Sequence, residues 1–332
     1  MLKKKMSIDG ILNVNKPEDK TSFNVVVWLR RLTGEKHVGH AGTLDPIATG
    51  VLPVCFGQAT RVTRFLTDSS KTYLAQIELG ITTDTFDRQG EVIERRDSSG
   101  ITVPQIEEAL TAFHGAIQQV PPAYSALKHQ GRRYYELARA GIPIELKPRQ
   151  IKIIDIELIN YKPPLITINV ECSKGTYIRS LAHDLGQYLG CGAHIKNLSR
   201  LRCGPFRIED ALSLPQIEDA FHKDTWKEFL HSVDSPLSNW EAIIVDKRNE
   251  LAIINGRSLP LDEAFLSPDK YCRAYNLDGH FIAVLRFIPE KKLWHPEKVF
   301  HPPQVGCSKQ KGACQIYRSS EQEICYNNKT DG

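Results

Sequence analysis

The most informative segment of this chain reads His37-Val38-Gly39-His40-Ala41-Gly42-Thr43-Leu44-Asp45-Pro46-Ile47-Ala48-Thr49-Gly50-Val51-Leu52-Pro53. Glycine, threonine and proline are so frequent in it that it predicts a loop with unusual backbone geometry, not a regular helix or strand. Asp45 is the only acidic residue from residue 36 to residue 67, and apolar Leu44 and Ile47 flank the Asp-Pro pair. Such a carboxylate is either a turn-forming acid or a positioned reactive group, and the dipeptide alone leaves both interpretations open.

The regions beside this loop carry ordinary signals of secondary structure. Gly10 to Asn15 predicts a short strand, and a helix ended by Gly34 follows it. Gln58 to Thr67 predicts a helical segment. Lys71 to Leu79 alternates, with Tyr73, Ala75, Ile77 and Leu79 on one side, which predicts a half-buried strand.

Further along the chain, helices and strands alternate without a regular βαβ rhythm. Pro104 to His114 predicts a helix opened by proline, and Thr176 to Leu189 predicts another that Gly190 ends. Ile151 to Tyr161 and Leu165 to Cys172 predict an antiparallel pair. The pattern favours an α+β fold with a mainly antiparallel central sheet and flanking helices and loops.

The pattern of predicted secondary structure changes to short strands after about residue 240. Lys270 to Tyr275, Phe281 to Phe287 and Leu293 to Phe300 predict short strands, with a turn at Asp278-Gly279 between the first two. We therefore expect a small all-β module over residues 241–302. Residues 303–332 are polar with few large apolar side chains, and they predict a disordered tail.

Composition excludes several classes of protein. Hydrophobic residues make up 41% and charged residues 25% of the 332 residues, as in ordinary globular proteins, and no apolar run is long enough to cross a bilayer. The start of the chain has no apolar core of a secretion signal, so we expect a cytoplasmic protein with no membrane association. The eight cysteines include no CxxC pair, and we expect no metal site.

Charge is distributed unevenly along the chain. Residues 1–210 contain 28 Lys and Arg against 22 Asp and Glu, whereas residues 211–332 contain 15 against 17. Tyr124 to Lys152 holds seven basic residues and two acids, interleaved with tyrosines. Basic groups neutralise phosphates and aromatic rings stack on exposed bases, so this segment indicates RNA binding. A solvated amphipathic helix is the alternative that composition leaves open.

The loop around Asp45 resembles the catalytic motif of the TruB family of pseudouridine synthases. Further similarity to that family, in the same order, spans roughly residues 10 to 240. The matching segments are Gly39-His40-Ala41-Gly42-Thr43-Leu44-Asp45-Pro46-x-x-Thr49-Gly50-Val51-Leu52, Asn15-Lys16-Pro17, Lys71-Thr72-Tyr73, Gly80-x-Thr82-Thr83-Asp84-Thr85-x-Asp87-x-x-Gly90, Gln119-Val120-Pro121-Pro122-x-Tyr124-Ser125-Ala126-Leu127-Lys128, Ser173-Lys174-Gly175-Thr176-Tyr177-Ile178-Arg179-Ser180-Leu181 and Gly192-Ala193-His194-x-x-x-Leu198-x-Arg200-Leu201.

The resemblance implies a role for each of several side chains. Asp45 would be the nucleophile that attacks a uridine flipped out of the RNA, and Arg179 the guanidinium beside it. Tyr73 would stack on the target uracil near the C5 proton, and His40 would enter the space that the flipped base leaves. The base pocket would be lined by Tyr177 and Leu198.

The resemblance also implies a substrate and a domain organisation. Residues 9–240 would form the catalytic domain, with an RNA-contacting segment near residues 119–152 in which Lys128 and Arg132 touch the RNA backbone. Residues 241–302 would be a PUA-like RNA-binding domain. The family's stand-alone members imply a monomer that needs no cofactor and binds the T stem-loop of tRNA, not DNA, to isomerise uridine 55. Two alternatives stay open: a guide-RNA-dependent synthase subunit, and a non-catalytic RNA chaperone that folds tRNA.

Overall fold

The computed structural model of the protein describes residues 8–125, 128–129, 132–140, 142, 145–260 and 271–301. The predicted tail, residues 303–332, lies outside the described residues, as does the side chain of Lys128.

The described residues include eighteen strands. In chain order these are β1 (Gly10–Lys16), β2 (Val38–His40), β3 (Ala48–Phe56), β4 (Lys71–Leu79), β5 (Ile81–Thr83), β6 (Val92–Arg95), β7 (Gly115–Gln119), β8 (Lys128–His129), β9 (Arg132–Arg133), β10 (Arg149–Lys162), β11 (Leu165–Cys172), β12 (Ala193–Cys203), β13 (Phe206–Arg207), β14 (Leu230–His231), β15 (Ala242–Ile244), β16 (Tyr271–Tyr275), β17 (Phe281–Ile288) and β18 (Leu293–Val299).

Seven α-helices occur in the same part of the chain. They are α1 (Ser22–Thr33), α2 (Thr63–Asp68), α3 (Val103–Ala112), α4 (Tyr134–Arg139), α5 (Ile178–Tyr188), α6 (Leu214–His222) and α7 (Lys247–Ile254).

A ten-stranded sheet forms the centre of the molecule. Its main path runs β14-β1-β3-β12-β4-β11-β10-β7, with β2 paired to β3 and β13 paired to β12. Every pairing in this sheet is antiparallel except β3 with β12, where Leu198 lies opposite Ala48 and Arg200 opposite Gly50. The predicted α+β class with a mainly antiparallel sheet is therefore confirmed.

Local signals explain where most elements begin and end. Thr21 caps α1 by accepting a hydrogen bond from the Asn24 N–H at 3.0 Å, and Gly34 ends the helix in the left-handed conformation at φ 66°. The predicted strand Lys71 to Leu79 is β4, and its alternate residues are buried. The antiparallel pair predicted for Ile151 to Tyr161 and Leu165 to Cys172 is β10 with β11.

Three predicted helices differ from the structure at their ends or in their type. Helix α3 covers Val103–Ala112 instead of Pro104 to His114. The segment predicted over Gln58 to Thr67 divides into a 3₁₀ helix, Gly57–Val62, and then α2. Helix α5 starts at Ile178 instead of Thr176, because Tyr177 is extended and its N–H donates to the Gln119 side chain at 2.8 Å. This side-chain contact takes Tyr177 out of the helical conformation.

Apolar side chains cover both faces of the central sheet. One cluster packs α1, α3 and α5 against strands β3, β4, β10, β11 and β12, and it includes Leu44, Ile47, Tyr73, Ile178 and Leu198. The prediction of a loop over the whole of residues 37–53 is wrong at both ends, because β2 and β3 pair with each other there and β3 also pairs with β1. The loop itself, residues 41–47, is anchored in the core by its own apolar residues.

The C-terminal region forms a separate four-stranded sheet in the order β15-β16-β17-β18. Gly279 has φ 78° and its N–H donates to the Asn276 carbonyl at 3.0 Å, which confirms the predicted turn between β16 and β17. Val284 and Phe300 pack into a cluster with Ile11 and Val51 of the central sheet. The sheet fits the predicted small PUA-like β module, but the module is not all-β, because α7 lies within it.

Candidate active site

The loop that carries Asp45 is fixed by contacts with the start of α1. The Ser22 hydroxyl accepts from the Leu44 N–H at 2.9 Å and donates to the Leu44 carbonyl at 3.2 Å. The Asp19 N–H donates to the Pro46 carbonyl at 2.9 Å. The residues on both sides of Asp45 are therefore held by polar contacts as well as by apolar packing.

Lys16 supports the same loop from inside the protein. Its side chain is fully buried, and its ammonium donates to the carbonyls of Pro17, Lys20 and Pro46 at 2.8, 2.6 and 3.2 Å. Burial lowers the pKa of Lys16 to about 8, against the opposing effect of the Asp45 carboxylate. The ammonium places a positive charge beneath the loop at neutral pH.

Arg179 holds the carboxylate of Asp45 from the first turn of α5. Its Nε donates to Asp45 Oδ2 at 2.8 Å and its Nη2 to Asp45 Oδ1 at 3.1 Å, a bidentate pair. The carbonyls of Thr85 and Tyr124 accept from its two terminal nitrogens at 3.0 and 2.9 Å. The Arg179 side chain is only 4% exposed, whereas that of Asp45 is 34% exposed. The carboxylate is accessible from solvent, and the cation that orients it is not.

A second acid faces the same guanidinium. Asp87 Oδ2 lies 3.5 Å from Arg179 Nη1, and the Asp87 side chain is 8% exposed. The Thr85 hydroxyl and the Gln89 N–H donate to Asp87 Oδ1 at 2.8 and 3.0 Å. Arg179 is therefore held between two carboxylates, one buried and one accessible.

Arg200 ties the opposite end of the Asp45 loop to the sheet. It is 1% exposed, and it donates to the carbonyls of Val51 and Gly42 at 2.7 and 3.0 Å. Gly50 has φ 101°, and a Cβ there would lie 2.3 Å from the Arg200 carbonyl oxygen, so only glycine fits at this position.

Tyr73 is linked to the loop through Arg200. The two residues lie opposite each other on β4 and β12, and the Arg200 charge acts on the Tyr73 phenol. Tyr73 is 9% exposed, and burial raises its pKa to about 12. The phenol is protonated at neutral pH and keeps its proton available to donate.

His40 and Tyr177 are two further predicted site residues, and both are half-buried. His40 ends β2, and its Nδ1 is buried without a hydrogen-bond partner in the described residues. Burial, followed by the nearby Arg200 charge, lowers the pKa of His40. Burial also raises the pKa of Tyr177, and the charges of Asp45 and Arg179 lie close enough to act on its phenol.

The remaining predicted site residues occupy less direct positions. Leu198 is 6% exposed and belongs to the apolar cluster beneath the loop. Lys128 and Arg132 lie on the short β8–β9 hairpin, and Arg132 is exposed. This hairpin begins three residues after Ser125, but no described contact joins it to Asp45. The basic segment is therefore not one long helix: it contains this hairpin, then α4, then β10.

Three buried polar residues were not assigned a role from the sequence: Lys16, Asp87 and Arg200. Each falls inside a motif that was quoted above, so the signal was present. A lysine before proline and an acid in a Thr-Asp-rich turn ordinarily predict exposed positions. Only the pairing of distant segments shows that these three enclose the Asp45 loop.

The described residues contain no group of three or more His, Cys, Asp or Glu side chains arranged to hold a metal ion. None of the helices described here has both the length and the apolar character needed to span a bilayer.

Comparison with known proteins identifies the family. The model for the N-terminal domain of TruB family pseudouridylate synthases matches residues 30–178, and that for the tRNA pseudouridylate synthase B C-terminal domain matches residues 179–238. The tRNA pseudouridine synthase B of Dehalococcoides mccartyi strain CBDB1 is 43% identical over 294 residues, 88% of this chain and 97% of the relative. The protein of the same name from Clostridium kluyveri is 44% identical, over 83% of this chain and 95% of the relative.

A solved structure shows the same fold. A chain of the Cbf5-Nop10-Gar1 complex superimposes with a TM-score of 0.68 at 26% identity, covering 89% of this chain and 86% of that one. Together with the family models, these similarities define the protein as a pseudouridine synthase. The chain belongs to the TruB family.

Proposed function

We propose that this protein converts uridine to pseudouridine at position 55 in the T loop of tRNA, with Asp45 attacking a uridine flipped out of the RNA. One observation carries the proposal: the bidentate Asp45–Arg179 pair, in which the carboxylate is accessible and the guanidinium is buried. The relatives named tRNA pseudouridine synthase B support the choice of tRNA. The proposal includes a monomer, a cytoplasmic location and no cofactor.

The chemistry of the isomerisation explains why a carboxylate is needed. The N1–C1′ bond must break, the uracil must rotate, and C5 must bond to C1′, with no change of oxidation state. A carboxylate serves as the nucleophile whether it attacks C6 of the uracil or C1′ of the ribose. The bidentate guanidinium fixes both carboxylate oxygens of Asp45, and the exposed part of the side chain stays open to the substrate.

The other predicted site residues take supporting roles in this proposal. The ring of Tyr73 stacks on the target base, and its protonated hydroxyl lies near the C5 proton that must leave. The neutral His40 imidazole, whose Nδ1 has no partner in the described residues, fills the gap left by the flipped base. Tyr177 and Leu198 line the base pocket.

RNA affinity is assigned to a different part of the molecule. Lys128 and Arg132, on the hairpin next to the site, contact the RNA backbone. The PUA-like module over residues 241–302 adds a second RNA-binding surface. Under this division, the hairpin and the C-terminal module hold the RNA, and the loop around Asp45 carries out the reaction.

The two alternatives make different use of the same site. The likeness to a chain of the Cbf5-Nop10-Gar1 complex, at 26% identity, is what favours a subunit of a larger assembly. The relatives with 43–44% identity carry the tRNA synthase name, and they favour an enzyme that works alone. A non-catalytic chaperone would not require Asp45 and Asp87 on a buried arginine, close to where RNA phosphates must lie.

A bare T-arm transcript tests the proposal. The target uridine carries tritium at C5, because forming the C5–C1′ bond releases that atom to water. We expect tritium release with the purified protein alone, and no release when the label is placed in a uridine of the stem. Release that requires an added guide RNA would identify a ribonucleoprotein subunit. Tight binding without release would identify a chaperone.

A further inference from the structure

An aromatic stack lies behind the residues that hold Arg179. Phe86 and His183 have ring centroids 4.0 Å apart and ring planes inclined by 17°. Phe86 lies between Thr85, whose carbonyl accepts from Arg179, and Asp87, whose carboxylate faces the same guanidinium. The stack is thus one residue away from two of the groups that orient Arg179.

The backbone at Phe86 explains why an aromatic contact matters there. Phe86 has φ 60°, a left-handed conformation that is rare for a bulky residue other than glycine. The chain is fixed on both sides of it: its N–H donates to the Thr83 carbonyl at 3.2 Å, and its carbonyl accepts from the Ile195 N–H at 3.0 Å. In this conformation the Thr85 carbonyl and the Asp87 carboxylate both face Arg179. An extended Phe86 would turn one of them away from the guanidinium.

Helix α5 provides the other half of the stack. His183 is four residues after Arg179, so the two side chains share one face of the helix one turn apart. Burial lowers the pKa of His183, and its Nδ1 makes no hydrogen bond in the described residues. Within the described residues, no polar contact therefore fixes the Nδ1 side of the His183 ring. The imidazole stacks instead on the ring of Phe86.

We infer that the Phe86–His183 stack is a positioning contact, which keeps the loop of residues 84–90 in the conformation that presents Thr85 and Asp87 to Arg179. It acts on the reaction only through Arg179 and Asp45, and it touches neither the substrate nor the reacting atoms. The inference rests on the proposed function for its effect on rate, but its effect on Arg179 is independent of any RNA.

Four variants test the two rings. Phe86→Leu and His183→Leu each remove one ring and keep an apolar side chain, and Phe86→Leu retains a bulky residue for which the left-handed conformation is costly. Phe86→Tyr and His183→Phe keep an aromatic ring at each position. Tyr188→Leu is the matched control, because it removes a different aromatic contact, with Phe113, from the end of the same helix. Thermal unfolding of each variant shows whether it is folded.

The first measurement needs no substrate. Solvent exchange of the Arg179 Nε–H is followed by nuclear magnetic resonance, with the signal assigned by its loss in Arg179→Lys. We expect exchange at least about tenfold faster in Phe86→Leu and His183→Leu. Exchange in Phe86→Tyr, His183→Phe and Tyr188→Leu should stay at the level of the unmodified protein. Slow exchange in folded Phe86→Leu and His183→Leu variants would overturn the inference, whatever their activity.

The second measurement is single-turnover tritium release at saturating T-arm RNA. The ring-removing variants should lose about 10- to 100-fold in rate, the scale of a small misplacement of a reacting group, with the RNA dissociation constant nearly unchanged. The ring-keeping variants should recover the rate. If the unmodified protein releases no tritium, the proposed function fails, and the exchange measurement alone decides this inference. If it is active and Phe86→Leu is equally active, the inference is wrong.

Discussion

Two ion pairs, one in each part of the molecule, place their charges in opposite ways. In the central region the cation is buried: Arg179 is 4% exposed and its partner Asp45 is 34% exposed. In the C-terminal region the anion is buried: Glu250 is 8% exposed, and Lys247, 2.9 Å away, is 74% exposed. The cation is therefore shielded from solvent in the first ion pair and exposed to solvent in the second.

The difference shows what each pair contributes. Burying a guanidinium costs several kcal/mol before its contacts are counted, so a buried pair is weak evidence for stability. Arg179 offsets that cost with contacts to two carboxylates and two carbonyls. Lys247 joins two turns of α7 through an i,i+3 contact and loses little solvation. We conclude that the first pair is built to orient Asp45 and the second to support a helix.

Replacing the buried cation should have the largest effect among the groups around Asp45. Arg179→Lys retains a positive charge but removes the bidentate geometry and the hydrogen bonds to the two carbonyls. We expect the single-turnover rate on T-arm RNA to fall about 100-fold, with RNA affinity nearly unchanged. Arg96→Lys, in an exposed pair with Glu94, is the matched control and should have the parent rate. Full activity in Arg179→Lys would mean that the buried pair does not orient the nucleophile.

The buried ammonium beneath the loop predicts a pH dependence. The pKa of Lys16 is lowered to about 8, so the group is protonated below that pH and loses its charge above it. A neutral amine has one N–H fewer to donate to the carbonyls that fix the loop. We therefore expect the single-turnover rate to decline as the pH rises through about 8. Lys16→Met should be slower at every pH, and its rate should not decline as the pH rises through about 8. If the rate of this variant shows the same decline, the pH dependence belongs to another group.

The hairpin beside the site should affect binding and leave the chemistry intact. Replacing Lys128, Arg132 and Arg133 together by alanine should weaken RNA binding, while the rate at saturating RNA stays near that of the parent. The log–log dependence of affinity on salt should become shallower by about 0.7 to 0.9 for each phosphate that the variant no longer neutralises. Lys223→Ala, in an exposed pair with Asp219 at the end of α6, is the control and should leave the slope unchanged. An unaltered slope in the triple variant would show that the hairpin does not bind phosphates.

The smallest effect is expected for the C-terminal pair. Lys247→Ala removes an exposed charge whose partner keeps a hydrogen bond from Asn276 at 3.2 Å. The turnover rate should be unchanged, and the midpoint of thermal unfolding should stay within about 2 °C of the parent value. A loss of activity in this variant would remove the contrast between the two ion pairs.

Features that depend on neighbouring residues were predictable from the sequence. The end of α1 at Gly34, the alternation in β4 and the turn at Gly279 are set by the residue types at those positions, and the structure confirms them. Asp45 stood out because a single acid in a glycine-rich loop is unusual. Its link to Arg179 came from a family resemblance, since 134 residues separate them along the chain.

Features that depend on pairing between distant segments were not predictable from residue types. Nothing local to Lys16 shows that its ammonium is buried among three carbonyls, because a lysine beside a turn is ordinarily in water. The start of α5 was misplaced because the Gln119 side chain, 58 residues earlier, binds the backbone of Tyr177. The stack of Phe86 on His183 likewise arises only when the loop after β5 packs on α5.

The central claim is that the accessible carboxylate of Asp45 performs the reaction, and Asp45→Asn tests it most directly. The amide keeps the shape of the side chain and removes the nucleophilic charge. Single-turnover tritium release from C5-labelled T-arm RNA should fall at least about 1,000-fold, which corresponds to about 4 kcal/mol of activation free energy, while RNA binding changes little. An Asp45→Asn variant that retains a tenth of the parent rate would contradict the account.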